Sequence, residues 1–238
     1  MNPMIIVACI AFLGGIVQGV TGFGAGIVMM MVLPVFFLIP QAAGISSTIG
    51  LMLNSLMAYR YRKSINLKKA IIPSTLFLVV SSCSAYFAMY VNQVLIKKIF
   101  GAFLIALSIY FIFFSNKEKQ PLNLIASLFC IICSGLSDGL FGIGGPLMVL
   151  YFLNQTEGTE EYLGTIQTFF LVNSIYMAIF RFVNGIIGAN HLLPIACGMA
   201  GIALGQLVAS KIVNRLDGQM LRKVTYVMIG ISGIINLF

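Results

Sequence analysis

Charged residues are scarce in this sequence. Only 8% of its 238 residues are Asp, Glu, Lys or Arg, whereas a soluble domain carries roughly 25%. Hydrophobic residues make up 60% of the chain, and no polar stretch is long enough to form a soluble domain of its own. This composition excludes an ordinary soluble globular protein and predicts an integral membrane protein embedded in a lipid bilayer.

Residues that bind metals and cofactors are also few. The chain has one histidine, His191, and its six acidic residues do not cluster, so we expect no metal site. Gly142-Ile143-Gly144-Gly145 lacks the following Lys-Ser/Thr of a phosphate-binding loop, and we expect no cofactor. The net charge of +8 is attributed to orientation in the membrane rather than to nucleic acid, which we do not expect as a partner.

The apolar runs predict transmembrane helices. In lipid the backbone must satisfy its own hydrogen bonds, so a chain spans the membrane as helices or as a closed barrel. These runs do not alternate polar and apolar residues, which favours an all-α bundle of about eight to ten segments. The predicted segments are 4–20, 25–39, 43–60, 70–91, 95–114, 122–138, 143–153, 162–182, 190–210 and 219–237. Segments 25–39 and 143–153 are short, so we expect broken or re-entrant helices there.

Two glycine-rich stretches repeat about 120 residues apart. In register, Gly15, Gly19, Gly22 and Gly24 align with Gly135, Gly139, Gly142 and Gly144. Gln18 falls opposite Asp138, and the series Asn54, Ser55 and Arg62 matches Asn173, Ser174 and Arg181 with the same spacing. The sequence therefore predicts a single transmembrane domain, residues 1–238, made of two homologous halves, 1–118 and 119–238.

The number of segments and the basic residues predict how the halves are oriented. Five segments per half is an odd number, so the second half would be inverted relative to the first. With the N-terminus outside, eleven of the fourteen basic residues lie inside, which fits the positive-inside rule. These eleven are Arg60, Arg62, Lys63, Lys68, Lys69, Lys117, Lys119, Lys211, Arg215, Arg222 and Lys223. A rival arrangement with eight spans places six of the fourteen outside, and we prefer the inverted repeat.

The paired motifs resemble those of a known family. Gly19-x-x-Gly22-Phe23-Gly24 and Gly139-x-x-Gly142-Ile143-Gly144-Gly145-Pro146 are similar to the glycine motifs of the TauE/SafE family. The resemblance covers essentially the whole chain. It implies a secondary transporter, and an exporter, of a small sulfur-containing oxyanion such as sulfite or an organosulfonate. It also implies a multi-pass protein of a bacterial plasma membrane. Ala25 stands where the second motif has Gly145, which suggests that the two half-sites are not equivalent.

The glycine breaks suit an anion for a physical reason. A helix that restarts after glycine exposes unpaired N–H groups and the positive end of its dipole, and glycine permits close approach. Two such ends would meet near the middle of the bilayer and allow alternating access. The residues expected to bind the small anionic substrate are Thr21, Gly22, Phe23, Gly24, Asn54, Phe141, Gly142, Gly144, Gly145, Asn173 and Arg181. Glycines 15, 19, 135 and 139 are instead interpreted as helix-packing contacts.

Asp138 is the single acidic residue within an apolar segment. A carboxylate there is costly and is a functional candidate, and burial favours its neutral form, so we assign it to proton coupling. The alternatives are a carboxylate bonded to nearby backbone N–H groups and one that lies near the membrane face. Arg181 either reaches the membrane interface or draws an anion into the outer vestibule. Asn54 and Asn173 fit either interhelical hydrogen bonds or substrate donors, and a surface position is favoured for His191.

Two other functions compete with the coupled transporter. The first is an uncoupled anion channel or facilitator of the same fold. The second is an intramembrane serine enzyme, because Gly135-Leu136-Ser137-Asp138-Gly139 fits the G-x-S-x-G pattern. The repeat explains these glycines better, and no residue is seen to orient His191 as a base, so we do not expect an enzyme. The sequence leaves open whether the protein is a homo-oligomer.

Overall fold

The structure is a computed structural model that describes residues 3–114, 122–212, 227, 230–234 and 236–237. Its described part contains no strand; it has nine α-helices with defined ends, three short 3-10 turns, and further helical residues at 230–234 and 236–237. The helices are α1 (Pro3–Thr21), α2 (Ala25–Met30), α3 (Ile39–Arg60), α4 (Leu67–Ala88), α5 (Gln93–Phe114), α6 (Leu124–Phe141), α7 (Gly145–Gln155), α8 (Gly158–Val183) and α9 (Leu192–Ile212). The all-helical class predicted from the sequence is confirmed.

Local sequence explains several helix ends. Asn66 and Asn123 precede α4 and α6, and their side-chain oxygens accept from Lys69 N and Ala126 N, which caps both helices. Helix α6 ends at Gly142, whose φ of 66° is favourable for glycine and costly for other residues. These caps fix where the chain breaks between consecutive helices.

The nine described helices overlap the first nine predicted segments. The predicted segment 25–39 differs, because α2 ends at Met30 and a 3-10 turn, Leu33–Val35, follows it. Pro34 lies within that turn, where its ring restricts the backbone. Helix α4 begins at Leu67 and therefore contains Pro73 within its second turn. The predicted segment 219–237 lies largely outside the described residues, as do Lys117, Lys119, Arg215, Arg222 and Lys223.

Six helices of the described part are long and apolar enough to cross a membrane. They are Met4–Thr21, Leu67–Ala88, Gln93–Tyr110, Leu124–Phe141, Gly158–Val183 and Ala189–Lys211. Helix α3 is as long as α4 but less apolar, and its buried residues include Ser46 and Asn54. It packs against α8 and α9 in the interior, so the protein is a multi-pass membrane protein with a partly polar central helix.

The largest helix contacts join the two halves in parallel pairs. Helix α1 packs along α9, with Ala8 against Gly201 and Phe12 against Gly205. Helix α4 packs along α6 in the same sense, because Gly135 lies against Val80, and Gly139, further along, lies against Ser84. The first helix of each half thus packs against the fourth helix of the other half.

The third helices of the two halves cross in opposite directions. At one end of this contact Gly44 of α3 lies against Arg181 of α8, and at the other end Gly164 lies against Tyr61. Helix α8 also runs parallel to α4, since Lys69 contacts Glu161 near both helix starts. Helices α1, α3 and α9 therefore run one way, whereas α4, α6 and α8 run the other way.

Candidate functional site

The two helix breaks enclose a cavity of about 70 Å³ in the middle of the bundle. Both breaks, α3 and α8 contribute to its wall. The lining residues are Gln18, Gly24, Ala25, Gly26, Ile27, Met29, Ser46, Ser47, Gly50, Asn54, Asp138, Gly142, Ile143, Gly144, Gly145, Phe170, Asn173 and Ser174. Asp138 is the one charged residue among them, so this small cavity is built from both halves and combines apolar surface with several polar side chains.

The breaks follow nearly the same backbone path. Gly22 and Gly142 have φ values of 86° and 66°, and their N–H groups donate to the carbonyls of Gln18 and Asp138, both at 2.7 Å. The next helix begins three residues later in each case, at Ala25 and at Gly145. The copies differ at the following glycine, because Gly24 has a φ of 106° whereas φ at its counterpart Gly144 is −96°. Glycine is therefore required by the backbone at Gly24 and by packing at Gly144.

At the first break, two glutamines and an asparagine form a buried network. The Gln18 amide Nε2 donates to Asn54 Oδ1 at 3.0 Å and to Gln167 Oε1 at 3.2 Å. Gln18 Oε1 accepts from Ala25 N, the first N–H of α2, and Gln167 Nε2 donates to the carbonyl of Gly22 at 2.7 Å. The network satisfies backbone groups that the break leaves unpaired.

At the second break, Asp138 takes the position that Gln18 has at the first. Its Oδ2 accepts from Ser81 Oγ at 2.7 Å and from Asn173 Nδ2 at 3.3 Å. Asp138 is 6% exposed and lines the cavity. The alternative that its carboxylate bonds only to backbone N–H groups does not describe this site, because both partners are side chains.

Two polar atoms in the cavity wall lack a hydrogen-bond partner in the described part of the chain. They are Ser46 Oγ and Asn173 Oδ1, and both residues are buried. A buried polar atom without a partner costs free energy, so such atoms in a cavity mark the place of a polar occupant. Ser46 can donate to that occupant, whereas Asn173 Oδ1 can accept from it.

Arg181 does not reach the membrane interface, so the interfacial and vestibule interpretations of this residue are wrong. Its side chain is 1% exposed, and it donates to the carbonyls of Ala43, Asp138 and Gly139 and to Ser47 Oγ at 2.8–3.2 Å. Three acceptors are carbonyls that face the interior, and they hold the guanidinium away from the surface. Ser47 lines the cavity, whereas Arg181 lies behind it.

The sequence matches a known protein family. The family described as Sulfite exporter TauE/SafE matches residues 7–235, nearly the whole chain. The chain belongs to the TauE/SafE family. The family match agrees with the helices of the described part that are long and apolar enough to cross a membrane.

This TauE/SafE protein is similar to a curated membrane protein from an archaeon. It is similar to the Probable membrane transporter protein MJ0441 of Methanocaldococcus jannaschii, with 29% identity over 166 residues. That alignment covers 63% of this chain and 61% of the relative, so the chain spans less than two thirds of the relative's length. No solved structure matches the chain.

The TauE/SafE motifs contribute unequally to the cavity. Of the residues predicted to bind substrate, the structure brings together Gly24, Asn54, Gly142, Gly144, Gly145 and Asn173 along its wall, with Asp138. Thr21 instead closes the first break, since its Oγ1 donates to the carbonyl of Phe23 at 2.7 Å. Phe141 packs against Phe100 and Phe103. The Gly22 carbonyl binds Gln167.

The site contains residues that sequence reasoning did not select. Gln18, Ser46, Ser47 and Phe170 line the cavity, and Ser81 binds Asp138. Gln18 could have been chosen because the repeat aligns it with Asp138. The serines and Phe170 carry no motif, and only packing of α3, α4 and α8 brings them to the breaks.

The glycines predicted to pack helices do so in this TauE/SafE chain. A Cβ on Gly15 would lie 2.5 Å from the carbonyl oxygen of Ile202, and one on Gly135 would lie 3.0 Å from Val80. A Cβ on Gly19 would overlap Gln206, and one on Gly139 would overlap Ser84. Glycine therefore permits the close α1–α9 and α4–α6 contacts.

Ser137 is not placed as a nucleophile. Its hydroxyl donates to the carbonyl of Ser134 at 3.0 Å, within the same helix. His191 Nδ1 accepts from Gly188 N at 3.1 Å in the turn before α9, and its ring lies 6.0 Å from that of Phe37. Both residues have local partners on separate elements, so the geometry does not support a serine–histidine pair.

Proposed function

We propose that this chain is a secondary transporter of a small sulfur oxyanion, with the cavity between the two helix breaks as its substrate site. Export is the direction that the family description suggests, and a bacterial plasma membrane is the proposed location. The observation that carries the proposal is the buried cavity, which is built from both breaks and contains unpartnered polar atoms. Cavities of this kind between helix breaks are typical of secondary transporters.

The volume of the cavity favours an inorganic oxyanion over an organosulfonate. A cavity of about 150 Å³ holds benzene, which has six heavy atoms. The cavity here is about 70 Å³. Sulfite, with four heavy atoms, has a size suited to this space, whereas taurine and sulfoacetate, with seven and eight, would extend through the open side of the cavity. Sulfite is therefore our first candidate substrate.

The polar groups of the wall support an anion that carries one proton. Ser46 Oγ offers a donor, and the first turns of α2 and α7 bring Gly26 and Gly145 to the cavity. First-turn N–H groups have no partner within their helix and suit an oxyanion. Asn173 Oδ1 and Asp138 are acceptors, which suit a proton on the substrate or on the carboxyl group.

Asp138 is proposed as the proton-coupling group. A carboxylate in the same cavity as an anion repels it, and in a small buried site this repulsion is strong. Protonation of Asp138 removes that repulsion, so binding of the proton and binding of the anion would favour each other. Ser81 and Asn173 hold the carboxyl group in place against the cavity.

An inverted repeat with alternating access is proposed for the two halves, with repeat boundaries near 118/119. The helix directions support it, because α3 and its counterpart α8 run in opposite directions, and α1 and α6 do as well. Helix α9 runs parallel to α3, which brings exposed Lys211 to the same end as the basic residues 60–69. The rival eight-span arrangement separates these two groups of basic residues.

Flux measurements in proteoliposomes test the function. We expect saturable sulfite flux that increases with an imposed pH gradient, and weaker flux of taurine and sulfoacetate. Sulfite flux that follows its own gradient and ignores the pH gradient would favour the uncoupled facilitator. Absence of flux for all three anions would contradict the substrate class.

The variant Asp138→Asn tests the coupling role. It should remove the pH dependence of sulfite flux, because the amide cannot take up the proton. The matched control is Glu160→Gln, which changes an exposed acidic residue that accepts only from Ser64 Oγ. Flux through Asp138→Asn with the wild-type pH profile would contradict proton coupling at this residue.

A further inference from the structure

Arg181 is a buried cation whose partners are all neutral groups. Its four hydrogen bonds go to three carbonyls and one hydroxyl, and it makes no ion pair with any described carboxylate. A buried charge without an ion-pair partner is expensive, so a chain that keeps one has a use for it. The side chain lines no part of the cavity and therefore acts through other groups.

The acceptors of Arg181 connect it to the cavity in two ways. One guanidinium nitrogen donates to Ser47 Oγ at 2.8 Å, and Ser47 is a wall residue. The other donates to the carbonyls of Asp138 and Gly139, in the last turn of α6, where the helix dipole places partial negative charge. Arg181 thus lies one hydrogen bond behind the wall and offsets negative charge at the second break.

The second half has a buried charged residue at two positions where the first half has none. The repeat counterpart of Arg181 is Arg62, which is exposed and donates to the carbonyl of Tyr59. The counterpart of Asp138 is Gln18, which is neutral. The buried cation therefore occurs in the half that also carries the buried acid, and the neutral first half has neither.

We propose that Arg181 is the residue that makes the cavity selective for anions. Its charge, held behind Ser47, offsets the Asp138 carboxylate and the end of α6, so that the wall presents a positive potential once Asp138 is protonated. Arg181 does not contact the substrate; it is a positioning residue that acts through the electrostatic potential at the cavity wall. This inference rests on the proposed function for the nature of the substrate, but the potential in the cavity can be measured without any transport.

The test uses a thiol in the cavity as a probe of local charge. Ser46→Cys is introduced after the five native cysteines have been replaced, and the thiol is alkylated with iodoacetate or with iodoacetamide. The two reagents have nearly the same shape, but only iodoacetate is an anion, so the ratio of their rates reports the potential at the wall. Arg181→Gln should lower that ratio about tenfold, as expected for loss of a nearby unit charge at an effective dielectric near 20.

Three further variants separate charge from packing. Arg181→Lys keeps the charge and should retain most of the ratio, and the matched control Arg62→Gln should leave the ratio unchanged. At a pH where Asp138 is ionised, adding Asp138→Asn to Arg181→Gln should restore the ratio, because both charges are then absent. An unchanged ratio in Arg181→Gln overturns the proposal. Equal losses in Arg181→Lys and Arg181→Gln, with no restoration by Asp138→Asn, also overturn it and indicate a packing role.

Sulfite flux in the same variants distinguishes this inference from the proposed function. At a pH where Asp138 is ionised, the KM for sulfite should rise about tenfold in Arg181→Gln and recover when Asp138→Asn is added. A wild-type protein that carries no sulfur anion contradicts the proposed function, whereas the alkylation ratio still decides the role of Arg181. Wild-type flux together with an unaltered KM in Arg181→Gln contradicts the inference alone.

Discussion

Replacement of Gly144 by alanine should damage the second break through a steric clash. The added Cβ would lie 2.6 Å from Phe77 Cζ and 2.9 Å from Asp138 Cβ. Phe77 is fully buried and packs edge-on against Phe169 at 4.9 Å between ring centroids, so its ring cannot move away cheaply. The φ of −96° at Gly144 is open to any residue, and the clash is therefore the whole effect.

The expected cost of Gly144→Ala follows from overpacking in a filled core, which is about 1–3 kcal/mol. For a chain of this size, each kcal/mol lowers the midpoint of thermal unfolding by about 2–4 °C. Sulfite flux should fall more steeply, by about tenfold or more, because the methyl group displaces Asp138 within the site. Thermal unfolding in detergent and flux in proteoliposomes measure the two effects.

The adjacent glycine supplies the matched control. A Cβ on Gly145 would lie 3.6 Å from Phe170 Cζ, which is an ordinary van der Waals distance. Gly145→Ala should therefore keep the unfolding midpoint within a degree or two. If Gly144→Ala and Gly145→Ala have the same unfolding midpoint, the packing argument at Gly144 is refuted.

Two further predictions concern hydrogen bonds outside the charged part of the site. Gln167→Leu should destabilise the protein by about 1–3 kcal/mol, because the carbonyl of Gly22 loses a buried hydrogen-bond donor. The control Thr168→Val should cost much less, since the Thr168 hydroxyl bonds within α8. Equal midpoints of thermal unfolding for the two variants would contradict a stabilising role of Gln167 at the first break. The Lys69–Glu161 pair, 2.9 Å apart with side chains 31% and 19% exposed, should contribute about 0.3–1 kcal/mol in a double-mutant cycle. This coupling energy should fall at high salt, and a salt-independent value would exclude a screened ion pair.

The helical architecture could be predicted because the length and the apolar composition of a sequence segment are sufficient to indicate a membrane helix. Apolar runs, turn residues and glycine breaks located all nine described helices. The boundary near Met30 was missed, because Pro34 follows an apolar run that looks continuous with α2. Composition does not reveal that α3 is a central helix, which depends on its packing against α8 and α9.

The repeat located much of the candidate site, but not its charge distribution. Equivalent positions led to Asn54 and Asn173, and both line the cavity. Arg181 was misplaced because it ends the predicted segment 162–182, and a charge at a segment end is expected near a membrane face; its counterpart Arg62 does lie at an exposed helix end. A duplicated sequence predicts equivalent backbone positions, whereas the burial of a side chain depends on neighbours that the two copies do not share.

The single acidic residue of the cavity limits the anion gradient that the proposed transport cycle can sustain. Gln18 occupies the position equivalent to Asp138, so only one proton can be taken up by the described cavity wall in each turnover. A singly charged anion that moves with one proton carries no net charge, and the membrane voltage then does no work on it. A pH difference of one unit corresponds to about 1.4 kcal/mol, and such a cycle can sustain at most about a tenfold anion gradient per pH unit, with the anion accumulated on the alkaline side. Export by this cycle therefore requires a cytoplasmic side that is more acidic than the outside.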